Sequence, residues 1–132
     1  MIEGARMLDF EIHGDERGSL VAVENKDIGF EMRRIYYIFD TSRDIVRGKH
    51  AHKDLKQVFV CVHGSCDILL DNGREKQAIR LDTPNEGIFV CGLMWREMMN
   101  FSDGCVLLVV VDKEYDVQDY IYDYDEFIRQ II

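Results

Sequence analysis

Arg47-Gly48-Lys49-His50-Ala51-His52-Lys53-Asp54-Leu55-Lys56-Gln57, continued by Val58–His63 and Gly64, is the stretch from which the rest of the chain can be understood. Side chains two positions apart on a strand leave the same face. His50 and His52 therefore project together, and inside a partly dry barrel they become tunable acid–base groups. Burial favours the neutral imidazole, and its ordinary pKa already lies near neutrality. His13 and His63 sit beside glycines in expected turns and read as structural.

On both sides of this stretch the chain reads as short β-branched or aromatic runs punctuated by turn residues. Ser19–Glu24, Arg34–Phe39, Val58–Val62, Cys66–Leu70, Gln77–Leu81, Gly87–Cys91 and Val106–Val111 are the expected strands. Asn72-Gly73 between two of them predicts a tight hairpin. This spacing points to an all-β sandwich or barrel. Helical periodicity appears only at Asp125–Ile132, where Phe127, Ile128 and Ile131 share a face and Asp123 or Asp125 can cap the start. With 132 residues, one proline and no linker or repeat, residues 1–132 are expected to form one domain.

The net charge of −9 argues against a nucleic-acid partner, which would need clustered Lys and Arg. It leaves room for a nucleotide held by a few local arginines. No apolar run is long enough for a membrane span, and residues 1–15 lack the pattern of a secretion signal. Cys61, Cys66, Cys91 and Cys105 contain no C-x-x-C pair and sit in apolar runs, so buried free thiols in a reducing cytoplasm are expected. Tyr115, Tyr120, Tyr122, Tyr124 and Phe127 read as packing or dimer surface.

His50-x-His52, four residues, Gln57, six residues and Gly64 resemble the first histidine motif of the cupins. Two positions depart from it: Asp44 stands where that motif opens with Gly, and Gln57 replaces the Glu that serves as an anionic ligand. The region of the second motif, Gly87–Met98, holds no histidine. Two imidazoles and a neutral amide fall short of a usual catalytic metal set, so no metal is expected.

Arg17-Gly18-Ser19-Leu20, Arg34-Ile35-Tyr36-Tyr37-Ile38-Phe39-Asp40-Thr41, the Arg47–Lys53 block, Gln57-Val58 and Trp95-Arg96-Glu97-Met98 follow in order. Together they resemble the dTDP-sugar 3,4-ketoisomerases, relatives of the dTDP-sugar epimerases among the RmlC-like cupins. The resemblance implies a jelly-roll β-barrel with a short C-terminal helix and a homodimer that exchanges N-terminal strands. It also implies a dTDP-4-keto-6-deoxy-D-glucose substrate, no cofactor, and movement of the carbonyl from C4 to C3. The product would feed an aminotransferase that makes 3-amino sugars for lipopolysaccharide O-antigens or natural products.

Moving a carbonyl by one carbon needs a base at C3, an enediolate and a proton returned at C4. His52 is expected as the chief base, His50 as its partner, and a tyrosine as donor to the enediolate oxygen. Tyr36 and Tyr37 alternate on a strand and cannot both face inward; Tyr37 is favoured. Arg17, Gly18, Arg34, Arg47, Gln57, Trp95, Arg96 and Glu97 are the candidate substrate contacts, the guanidinium forks suiting phosphate. In the resembling family the positions of Arg17 and Arg96 are tied to the C4 configuration, and many members carry His at the latter. Competing readings are a 3,5- or 5-epimerase on the same sugar and a non-catalytic sugar-nucleotide-binding cupin, with a metal-dependent dioxygenase more distant.

Overall fold

The computed structural model describes all 132 residues. The strands are β1 (Ala5–Asp9), β2 (Ile12–Asp15), β3 (Gly18–Val21), β4 (Arg34–Ile38), β5 (Arg47–His52), β6 (Gln57–His63), β7 (Cys66–Asp71), β8 (Lys76–Leu81), β9 (Glu86–Val90), β10 (Met94–Met99), β11 (Val106–Val111) and β12 (Tyr120–Ile121). Two short α-helices, α1 (Asn25–Ile28) and α2 (Tyr124–Ile131), and a 3-10 turn at Val117–Asp119 complete the chain. One sheet has the order β1-β9-β6-β11-β4 and the other β12-β5-β10-β7-β8. β2 and β3 pair only with each other. This is the cupin-type jelly-roll expected, and no helix is long and apolar enough to cross a membrane.

The core lies between the sheets. Phe59, Leu107, Val109, Ile88 and Val90 of one face Ile68, Leu70, Leu81, Met94 and Met98 of the other. Each fully buried side chain of this kind contributes roughly 1.5–3 kcal/mol. β6 and β11 are apolar on both faces. Val58, Val60 and Val110 pack outward under Phe10, Ile28 and Phe30, which explains their unbroken hydrophobic runs.

α2 is the C-terminal helix read from the sequence. Asp123 caps it, its Oδ1 accepting from the backbone N–H groups of Asp125 and Glu126. Phe127 is buried against Trp95, Ala51 and Ile121 on the outer face of the second sheet.

The hairpin expected at Asn72-Gly73 forms between β7 and β8, with a longer turn than expected. β7 and β8 pair as far as Asp71 opposite Lys76, leaving a four-residue loop in place of a two-residue turn. Asn72 closes it, its Oδ1 accepting from the N–H groups of Arg74 and Glu75. No periodicity announces β10 or β12, yet these two strands hold or position Arg96, His52 and Tyr120.

Candidate active site

β4 ends one sheet and β12–β5 ends the other, so the sandwich is open along the edge between them. Inward side chains from both margins meet there.

A bulge in the β10–β5 ladder, between Arg96 and Glu97, sets the alternation of β5. Gly48 (φ 83°) and Lys49 (φ 55°) occupy left-handed backbone at that point. A Cβ on Gly48 would lie 3.0 Å from the Arg96 carbonyl oxygen, so the bulge calls for glycine. Beyond it His50 pairs with Arg96 and His52 with Met94, and both imidazoles turn inward. Their rings meet edge to face with centroids 4.9 Å apart.

His52 is 1% exposed. Its Nδ1 lies 2.9 Å from Asp119 Oδ2. A carboxylate can only accept, so the proton sits on Nδ1 and Nε2 presents a lone pair. Asp119 is itself held: its Oδ1 accepts from the Asp54 N–H at 2.8 Å, and its carbonyl accepts from Lys53 N–H at 2.9 Å. The Tyr120 ring packs 4.3 Å from that of His52 and 5.0 Å from that of His50. Tyr122 stacks on Tyr120 and reaches His50 at 6.0 Å. His50 is only half-buried and is the imidazole nearer solvent.

Burial lowers both histidines from their ordinary range, with the Arg96 charge acting in the same sense; His50 falls to about 4. Both imidazoles are neutral at neutral pH.

Arg96 is fully buried on β10, directly opposite His50. Its Nη2 donates to the Met94 carbonyl oxygen at 2.8 Å, and no carboxylate pairs with it. Burial lowers its pKa to about 10, so the guanidinium stays charged. Gln57 is also fully buried, and its Nε2 donates to Tyr36 Oη at 3.3 Å. Burial raises Tyr36, which keeps its phenolic proton free to donate. The Arg34 guanidinium lies over the Tyr36 and Tyr115 rings at 5.3 and 5.5 Å. A cleft of about 50 Å³ beside His52 is lined by Arg34, Leu55, Asp119 and Tyr120 among others.

Arg34 Nε, His52 Nε2, Gln57 Oε1, Arg96 Nε and Arg96 Nη1 are the buried side-chain polar atoms that lack a hydrogen-bond partner. Such atoms are expensive to bury. All belong to residues of this one cluster, which marks it as a ligand site.

Several expected contacts lie elsewhere. Tyr37 is 61% exposed on the outer face; it is Tyr36 that shares the inward face with Arg34 and Ile38. The preference for Tyr37 is thus corrected, because alternation opposes the two tyrosines without saying which is inside. Trp95 and Glu97 flank Arg96 and so point out of the barrel. The Trp95 indole donates to Glu97 Oε2 at 3.0 Å and packs on Tyr124 and Phe127 beneath α2. Arg47 is exposed at the start of β5. Arg17 and Gly18 are at the tip of the β2–β3 hairpin, where Arg17 pairs with Asp15 at 2.6 Å in solvent. Asp119, Tyr115, Tyr120 and Tyr122 are additions to the expected site. Their interleaved Asp and Tyr pattern carries no periodic signal, and only the pairing of β12 with β5 brings them in.

A metal does not fit this donor set. Gln57 is a neutral amide committed to Tyr36, and Asp119 is committed to His52 and the Asp54 backbone. Two imidazoles remain, short of the three protein ligands typical of a catalytic centre.

The sequence profile of the family described as "FdtA: WxcM-like, C-terminal" matches residues 3–131. A TDP-4-oxo-6-deoxy-alpha-D-glucose-3,4-oxoisomerase of Aneurinibacillus thermoaerophilus is 48% identical over 127 residues, 96% of this chain and 91% of that protein. Among solved structures, a 3,4-ketoisomerase from Helicobacter canadensis superposes with a TM-score of 0.94 at 50% identity, covering 96% of each chain. QdtA, a sugar 3,4-ketoisomerase from Thermoanaerobacterium thermosaccharolyticum solved in complex with TDP, gives a TM-score of 0.97 at 40% identity over 99% of this chain and 96% of that one.

Proposed function

The chain belongs to the FdtA family of WxcM-like C-terminal domains, and from that premise we propose that it is a TDP-sugar 3,4-ketoisomerase. Its substrate is TDP-4-keto-6-deoxyglucose and its product the corresponding 3-keto sugar. The observation that carries this reading is the convergence of unpartnered buried polar atoms beside two neutral imidazoles.

The reaction balances without a redox partner. A base removes the proton from C3, and the C–H electrons form a C3–C4 double bond. The π electrons of the C4 carbonyl move onto its oxygen, giving an enediolate. The enediolate oxygen on C4 takes up a proton to become a hydroxyl, the O3 hydroxyl loses its proton, C3 becomes the carbonyl, and C4 takes up a proton. This reverses the order expected from the sequence, in which His52 is the chief base: His50 meets the substrate first, because it is the imidazole open to the edge of the sandwich, whereas His52 is fully buried. His52, aligned by Asp119, is the second acid–base group, with its Nε2 lone pair already turned into the cavity. Tyr36 donates to the enediolate oxygen, and Gln57 fixes the phenol. Arg96 supplies positive charge that strengthens as charge develops on that oxygen, since a preformed dipole or charge in a dry site needs no reorganisation. Arg34, at the margin, suits the diphosphate.

The site is completed in a homodimer. The outer face of the first sheet leaves Ile35 and Val62 exposed, and the hairpin adds Ile12 and Leu20 beside them. These residues line an apolar groove of about 340 Å³ with Leu108 and Val110. A second copy, with N-terminal strands exchanged, covers this surface and gives Arg17 and Gly18 a route to the partner's substrate. Light scattering that returned the monomer mass would remove this part of the reading. The four free cysteines suit the reducing cytoplasm as the place of work.

The decisive experiment is incubation with TDP-4-keto-6-deoxyglucose in D₂O followed by NMR. A 3-keto product carrying deuterium at C4 is expected. A carbonyl that stays at C4 with deuterium entering at C3 or C5 would identify an epimerase, and bound nucleotide without deuterium uptake would identify a non-catalytic binder.

A further inference from the structure

β6 runs from Gln57 in the active site to Cys61 and His63 toward the other end of the sandwich. There Cys61 meets Cys66, the first residue of β7, and Cys105, the residue before β11. The three Sγ atoms all lie within 4.8 Å of one another, and those of Cys61 and Cys105 are 3.6 Å apart. All three residues are buried and none is in a disulfide. The isomerase chemistry uses none of them.

We propose that Cys61, Cys66 and Cys105 form a three-sulfur site for a soft d¹⁰ cation, copper(I). Three sulfurs around a trigonal metal, with bonds of about 2.3 Å, sit about 4 Å apart. The separations present, from 3.6 Å to under 4.8 Å, bracket that value, so small side-chain rotations suffice. An all-thiol set selects copper(I), zinc or an iron–sulfur cluster over harder ions. The number of ligands then narrows the choice. The surroundings are apolar, with Phe101, Ile68, Leu81 and Leu107 in the same core cluster. The His63 side chain is exposed and Cys91 follows β9, away from this group, so no fourth ligand is at hand. Structural zinc and iron–sulfur clusters take four protein ligands; copper(I) is satisfied by three.

Each thiol that becomes a thiolate ligand releases one proton to solvent, and the metal stays in its +1 state. Entry is through the covering loops, where Ser65 N–H donates to Ser102 Oγ at 2.8 Å and Ser102 N–H to the Ser65 carbonyl at 2.9 Å. Once bound, the ion ties β6 and the edge of β11 in one sheet to β7 in the other.

The test uses the full chain, reduced and free of oxygen, titrated with copper(I) against bathocuproine disulfonate. One copper withheld per chain is expected, with sulfur-only coordination of three scatterers by X-ray absorption and a raised melting temperature. Cys66→Ser and Cys105→Ser should each lose the stoichiometric copper, and Cys91→Ser should keep it. Failure of the wild type to withhold copper, retention by either of the first two variants, or loss with Cys91→Ser would overturn the proposal. So would nitrogen or oxygen neighbours in the absorption spectrum, or tighter stoichiometric binding of zinc. If the serine variants do not fold, the wild-type titration and spectrum decide alone.

Discussion

His52 Nδ1 lies 2.9 Å from Asp119 Oδ2, a bond spanning 67 positions that joins the histidine block to the tail after β11. Its chemical effect is on the far nitrogen, where it keeps Nε2 unprotonated. In Asp119→Asn the amide can donate to Nδ1 and so move the ring proton to Nε2. We expect kcat to fall by about 10²-fold or more while TDP affinity changes little. Nitrogen NMR of the imidazole should show the exchanged tautomer. Unchanged kcat with the original tautomer retained would contradict this role.

His50→Asn and His52→Asn should each cost about 10²–10⁴-fold in kcat, the range for loss of a positioned acid–base group. Deuterium exchange at C3 of bound substrate separates the two. It should vanish in His50→Asn and survive, weakened, in His52→Asn. The reverse pattern would make His52 the first base.

Tyr36→Phe removes the inward phenol and should lower kcat by about 10²-fold, as removal of a single oxyanion donor does. Tyr37→Phe, on the outer face, should leave turnover intact. Equal effects from both would dissolve the distinction between the faces.

Arg96→Met tests the isolated buried charge. The guanidinium makes a single hydrogen bond and has no counter-ion. Filling its volume with an apolar side chain should stabilise the ligand-free fold, by about 1–4 kcal/mol if it follows other buried charges. Turnover should be lost with it. A destabilised variant by urea denaturation would mean that the charge is already satisfied in the free protein.

Acid should weaken the fold through the two histidines. In the unfolded chain they titrate near 6.5; in the folded chain burial holds them neutral well below that, His50 to about 4. Between those values the unfolded chain binds more protons, so stability falls as pH drops through that window. The urea midpoint should decline between about pH 7 and pH 5, and less steeply in the double variant His50→Asn/His52→Asn. Parallel slopes would show that other groups carry the effect.

The parts of this site legible in the sequence are those set by local geometry. His50 and His52 share a face because they are two apart on a strand, and Gln57 follows at a spacing that repeats in a known motif. Alternation likewise shows that Tyr36 and Tyr37 oppose each other, but which one is inside depends on where β4 pairs with β11. Trp95 and Glu97 enter the expected site with Arg96 through the Trp95–Met98 run of the resemblance, and no clear period-two pattern in β10 separates them from it. Met94, Trp95 and Met98 are all buried, so hydrophobicity does not distinguish its faces. Asp119 lies just before, and Tyr120 within, a two-residue strand whose only partner is β5, and no local signal exists for a contact of that reach.

β10 sends Met94, Arg96 and Met98 to the interior of the sandwich and Trp95 and Glu97 to the outer face that α2 covers, so parity divides its labour. A change of side chain at Arg96 retunes what the cavity accepts and leaves the helix seat untouched. A single-residue deletion within Met94–Arg96 would do far more. It would transpose the two sets, offering an indole to the sugar and a guanidinium to Phe127. Specificity in this scaffold can therefore drift by substitution, while insertions and deletions are confined to the loops between strands.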